Sequence, residues 1–200
     1  MKLRPILLVI ALLGCETKRE PADSLSSSFT ASSSPSVIHS AGSQKSLCGN
    51  KVIRDEGIGE LRIGATVDSI RQKCNVLRDT TAMGVEGMPA RKLSVALSRD
   101  TVEAEIVDGR VWRIAVGSPR LTTADSLGVG TSIERLRQLK NPRLMTGEDA
   151  LFVATPQHCG MSFRLANTGP DALRGNLDRA GLTRLPKSTV VSEVLVFGCR

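Results

Sequence analysis

Apolar and polar residues alternate twice in the middle of the chain, at Leu93, Val95 and Leu97 and again at Val102, Ala104 and Ile106. Alternation puts the apolar members on one face of a strand, so each stretch reads as a half-buried β-strand. Ser98-Arg99-Asp100 supplies the turn between them, and Asp108-Gly109 leads into a third run from Val111 to Val116. A two-residue loop here would pair Ile106 with Val111 but Ala104 with Arg113, mixing the faces. A three-residue loop, Val107-Asp108-Gly109 with a left-handed Gly109, keeps them apart. It sets Ala104 against Trp112, Val102 against Ile114 and Glu103 against Arg113, and it makes Trp112 most simply a core residue, though an edge location would make it a binding anchor. Leu151 to Val153, Met161 to Leu165 and Val190 to Phe197 also read as strands. Asn167 to Leu185 interrupts them as an insertion, with a helical turn expected over Asp171 to Arg179.

The period changes at two related places. Leu61 to Gln72 lines up with Leu127 to Gln138, and Leu61, Gly64, Arg71 and Gln72 recur unchanged as Leu127, Gly130, Arg137 and Gln138. Each copy reads as an extended segment, a glycine turn and a helix of two or three turns. Thr66 and Ser132 are good N-caps, with Asp68 and Glu134 placed where a negative charge meets the helix dipole favourably. Val67 and Ile70, and likewise Ile133 and Leu136, put apolar groups three apart on one helix face. Asn75 stops the first helix and Asn141-Pro142 the second. The expected fold class is α+β: two tandem units, about 48–120 and 121–200, each a short helix packed on antiparallel strands.

The N-terminal pattern differs from all of this. Lys2 and Arg4 precede an unbroken apolar run, Ile6 to Leu13, which ends in Gly14-Cys15. A short basic segment, a brief apolar run and a small residue are the layout of a cleaved secretory signal, expected over residues 1–14. The run is too short to span a bilayer, which needs about 20 residues in a helix. Residues 15–47 follow, rich in serine and poor in large apolar side chains, and they read as a flexible tether with an end-to-end distance of about 30 Å. His39 falls inside it as a solvated side chain. The folded domain is expected over residues 48–200.

Leu12-Leu13-Gly14-Cys15 resembles the lipobox of bacterial lipoproteins. The resemblance implies that Cys15 is lipidated, becomes the mature N-terminus and anchors the chain to a membrane of the cell envelope. It also implies residence on the periplasmic face of the outer membrane in a diderm cell, because Glu16 is not the aspartate that retains such proteins at the inner membrane. With Cys15 assigned to lipid, Cys48, Cys74, Cys159 and Cys199 remain. An even set in an exported domain reads as two disulfides, for which three connectivities exist. If the strand after Cys159 pairs antiparallel with the one before Cys199, those two sulfurs fall at the same end, which leaves Cys48 for Cys74.

Charge and candidate chemistry narrow the picture by exclusion. The formal net charge is +7, of which Lys2 and Arg4 depart with the signal. The other charges are interspersed, and the four Phe, one Trp and absent Tyr provide few stacking platforms, so nucleic-acid binding is not expected. The one histidine of the domain, His158, adjoins Cys159; a disulfide cysteine with a solvated neighbour is the expected reading, rather than a Cys-His pair. No Cys-x-x-Cys pair and no histidine cluster offers a metal site. Gly128-x-Gly130 opens a helix without the third glycine of a phosphate-binding loop, so it reads as a strand-to-helix turn. The neighbouring acids Asp55-Glu56 and Glu148-Asp149 are expected to remain solvated. The domain is therefore expected to be non-catalytic, with no cofactor and no metal.

The repeated Leu-x-Ile/Val-Gly-x-Thr/Ser-Val/Ile-Asp/Glu helix start, followed by antiparallel strands, resembles the repeats of BamE-like and beta-lactamase-inhibitory-protein-like envelope proteins. The resemblance implies short helices packed on an antiparallel sheet and action by binding another protein. An inhibitor of an exported hydrolase is the alternative it carries. An enzyme whose site lies in the Asn167–Leu185 insertion is the third.

Overall fold

The alternating segments do form strands, and they form one large sheet. The structure is a computed structural model that describes residues 48–83, 89–147, 150–169, 172 and 179–199. A first group of short strands, β1 (Val52–Arg54), β2 (Gly57–Ile58) and β3 (Leu61–Arg62), leads into helix α1 (Val67–Lys73). Then come β4 (Asn75–Met83), β5 (Pro89–Leu97), β6 (Asp100–Val107) and β7 (Arg110–Val116). After β8 (Thr122–Thr123) and α2 (Ile133–Arg137) follow β9 (Arg143–Thr146), β10 (Leu151–Thr155) and β11 (His158–Ala166). Helix α3 (Arg179–Arg184) and β12 (Val190–Val196) complete the order.

The fold is mostly β, in two sheets. Eight strands lie in the order β4-β5-β6-β7-β12-β11-β10-β9, and four short ones in the order β3-β2-β1-β8. All pairs in the large sheet are antiparallel. Leu93 lies opposite Ala104 and Val95 opposite Val102, as their alternation implies. These four residues are fully buried and share one core with Val67, Ile70, Ile133 and Leu136 of the helices and with Ile53, Ile58 and Leu61 of the small sheet. One face of the large sheet thus packs against the helices and the small sheet.

The two helix starts are built alike. Thr66 Oγ1 accepts the Ser69 N–H and Ser132 Oγ accepts the Arg135 N–H, each at 3.3 Å, which satisfies one orphan donor per helix. The Gly64 N–H bonds the Val111 carbonyl at 2.8 Å, and the Gly130 N–H bonds that of Val191 at 2.8 Å. Ala65 and Thr131 accept the return bonds from Val111 and Val191, both at 2.9 Å. So the turn before α1 is fastened to β7, and the turn before α2 to β12.

Both disulfides are present, Cys48–Cys74 and Cys159–Cys199, with Cα atoms 4.4 and 5.1 Å apart. The first joins the N-terminal end of the described chain to the α1–β4 junction. The second joins β11 to the segment after β12, the antiparallel neighbours that bring the two sulfurs to one end.

Two linked sequence expectations fail here, the three-residue loop and the buried Trp112. The β6–β7 loop has two residues, not three: Val107 pairs with Arg110 and Ile106 with Val111. Asp108 and Gly109 have φ of 51° and 72°, the positive values that a tight hairpin of this length requires at both positions. The faces do not mix, because a β-bulge next to Ile106 absorbs one residue of β7 and restores the register. Ala104 therefore faces Ile114 and Glu105 faces Arg113, while Glu103 meets Ala115. Trp112 is the residue absorbed, and it is 44% exposed rather than in the core. In the insertion, the helix runs over Arg179–Arg184, after the expected turn at 171–179, most of which falls outside the described residues.

Candidate functional site

The bulge in β7 positions the most prominent feature of the exposed sheet face. Trp112 and Arg113 fall between the core residues Val111 and Ile114. Arg113 makes an ion pair with Glu105 across the strands at 2.5 Å. The same face carries the register row Glu103, Ala115, Leu195 and Ser162. Leu195 is buried yet stands outside the core cluster, as does Ala96. Ala115, Leu195 and Ser162 line the middle of this face, and the last two are buried. A second row runs Glu193, Arg164, Phe152 and Met145. Arg164 and Glu193 approach to 3.8 Å, and Met145 is 41% exposed. The arrangement is a rigid strand platform with an aromatic anchor, apolar spots and cross-strand ion pairs. Chemically it can contact another surface.

The free edge of the sheet is a second feature. Asp79 on β4 receives Arg91 through two hydrogen bonds, at 2.9 and 2.8 Å, and Arg71 of α1 at 2.5 Å. The Arg91 bonds lower the Asp79 carboxyl most; partial burial opposes them and Arg71 adds to them, leaving it at about 2. An open groove of about 330 Å³ lies alongside, lined by Arg71 and by Asn75 to Asp79.

His158 is not a solvated neighbour of Cys159. Its side chain is 14% exposed, its Nε2 lies 3.1 Å from Asp125 Oδ2, and its ring meets Phe163 edge-on at 6.0 Å. Burial pushes the Asp125 carboxyl up, but the Thr123 hydroxyl and His158 outweigh it, and the balance lies below the ordinary carboxylate value. The hydroxyl that reaches this pair is committed to Asp125, at 2.6 Å, and Cys159 is committed to Cys199. The pair fastens β11 to the loop after β8.

Asp55 and Gly128 also have structural roles. Asp55 accepts the Gly160 N–H at 3.2 Å and sits close to the sulfurs of Cys159 and Cys199, which as a disulfide offer no thiolate to a metal. Gly128 is packed against Leu121, where a Cβ would come within 2.8 Å of the backbone oxygen, so it serves the turn. Cys15 with the tether to residue 47, and Glu148-Asp149, lie outside the described residues. Among the described residues no helix is long and apolar enough to cross a membrane.

No family model and no curated protein matches the chain. Its fold, however, has been seen before. The crystal structure of the uncharacterized protein yfeY from Escherichia coli aligns over 73% of this chain and 99% of its own, with a TM-score of 0.53. The two sequences are 19% identical, so the similarity to yfeY is one of fold.

The edge strand has no alternation to read in the sequence. The exposure of Trp112 does have a sequence signal in Asp108-Gly109, a strong two-residue hairpin dipeptide, which forces a bulge once the faces must match.

Proposed function

We propose that this chain is a lipid-anchored protein of a bacterial cell envelope whose folded domain binds another protein through the helix-free face of its large sheet. The observation that carries the binding reading is Trp112, a large aromatic held 44% exposed on a strand rather than buried. Tryptophan and arginine are the residue types that most often anchor protein contacts, and Arg113 stands beside it. Cys15, as the lipid-bearing residue, and the serine-rich tether place the domain at a membrane surface with freedom to reach a partner. The outer membrane is the favoured location.

The domain is read here as two tandem units, about 48–120 and 121–200. Supporting this are the matched bonds of Gly64 to Val111 and Gly130 to Val191, and the strand order, which runs outward from β7 and β12 in equivalent fashion. Each unit then contributes a capped helix and four antiparallel strands of the large sheet, joined through one β7–β12 seam.

A photo-crosslinking amino acid placed at position 112 in intact cells tests the binding reading, with the same group at Lys51 as the control. A discrete adduct at 112 and none at 51 is the expected result. Identical adducts at both positions, or none at 112, would remove the sheet face as the contact. The anchor is tested separately by palmitate labelling and membrane fractionation of Cys15→Ala, which should be unlabelled and released.

A further inference from the structure

The two ends of the large sheet are closed differently. At one end β9 has four residues and α3 packs beside it. At the other, β4 presents nine residues in a row with no strand against its outer side among the described residues. Every residue of β4 except Val76 is exposed. An edge of this kind offers a line of unpaired N–H and C=O groups, and proteins usually blunt it with proline, bulges or brevity. Here the bulge is confined to the start, between Val76 and Arg78, and the register from Arg78 to Met83 is regular. That stretch contains no glycine or proline, and Thr80 and Thr81 favour extended backbone.

Charge says what could lie there. Arg71 and Arg91 converge on Asp79, and Asp68 also acts on Arg91, so the charges on that side of the edge balance. On the other side, Arg78 and Lys92 are exposed and form no ion pair among the described residues. The cations without an ion pair thus lie on the face of the strand turned away from Leu93 and the core. A second copy of the chain would bring the same Arg78 and Lys92 against this edge and be repelled.

We propose that the β4 edge accepts an extended, acidic segment of another polypeptide, which adds to the sheet as a further strand. The backbone supplies the pairing, and Arg78 and Lys92 supply the preference for acidic side chains. This site is distinct from the Trp112 face.

The test uses the full chain in detergent and three nine-residue peptides: one of alternating Val and Glu, the same peptide N-methylated at every second residue, and one of alternating Val and Lys. The Val/Glu peptide should bind, shift the amide resonances of residues 78–83 and slow their hydrogen exchange. N-methylation and the Lys exchange should each weaken binding at least tenfold, as should the double change Arg78→Glu with Lys92→Glu. Trp112→Ala should leave peptide binding unchanged, which separates failure here from failure of the sheet-face reading. Equal binding by the N-methylated peptide would reduce the site to charge attraction and overturn the proposal. So would equal binding by the Lys peptide, absence of binding, or sedimentation showing that two copies pair through β4.

Discussion

Asp100 is clamped by Arg120 from the solvent side. Its Oδ1 accepts Nε and Nη2 of Arg120 at 3.0 and 2.7 Å, together with the Ser118 hydroxyl at 2.5 Å. The carboxylate side chain is 1% exposed and the arginine side chain 62%. Arg120→Ala would leave a buried carboxylate with one hydroxyl, so a lower urea midpoint is expected. The Arg120 bonds hold the Asp100 carboxyl below its usual range. The stability this contributes is complete above the unfolded carboxylate value, near pH 4, and fades as pH falls through the lower folded one. Arg120→Ala should therefore also flatten the acid limb of the stability profile.

Asp79 should behave similarly at the sheet edge, with a smaller effect. Its carboxyl is lowered to about 2, so its contribution is present above about pH 4 and lost between there and pH 2. The side chain is 23% exposed, and solvent screening reduces the contribution to about 1 kcal/mol. Asp79→Asn should remove that amount at neutral pH and only a small part of it at pH 2, as measured by paired denaturation curves.

The disulfides span 26 and 40 residues. On the chain-entropy model, opening each costs about 3.5–4 kcal/mol, a large share of a small domain's stability. The Cys48→Ser/Cys74→Ser pair and the Cys159→Ser/Cys199→Ser pair should each lower the urea midpoint strongly, and all four changes together should leave little folded protein at 37 °C by circular dichroism.

The β6–β7 register makes a contrast between neighbours. Ile114 is fully buried and Trp112 is not. Ile114→Ala should cost about 2–5 kcal/mol, whereas Trp112→Ala should cost under about 1 kcal/mol. Thermal unfolding of the two variants checks this. A Trp112→Ala loss as large as that of Ile114→Ala would return the tryptophan to the core and the loop to three residues.

These contrasts also show where the pattern of residues is informative. Leu93, Val95, Val102 and Ala104 have one wet and one dry face, so their strands and their pairing could be read directly. Thr66 and Ser132 marked their helices because a cap depends on local chemistry alone. β4 escaped notice because it is exposed on both faces and so has no alternation to read. The small sheet escaped because strands of two or three residues carry no period. The His158–Asp125 and Asp100–Arg120 pairs join distant segments, which spacing along the chain does not foretell.

The Cys48–Cys74 bond has a mechanical consequence. A pull transmitted along the chain into Cys48 crosses the sulfur bridge directly to Cys74. The load then bypasses β1 to α1 and enters the domain where α1 meets β4. A pull on the chain before Cys48 would thus leave the intervening segment slack and strain the edge of the large sheet first, at the strand whose outer side is open.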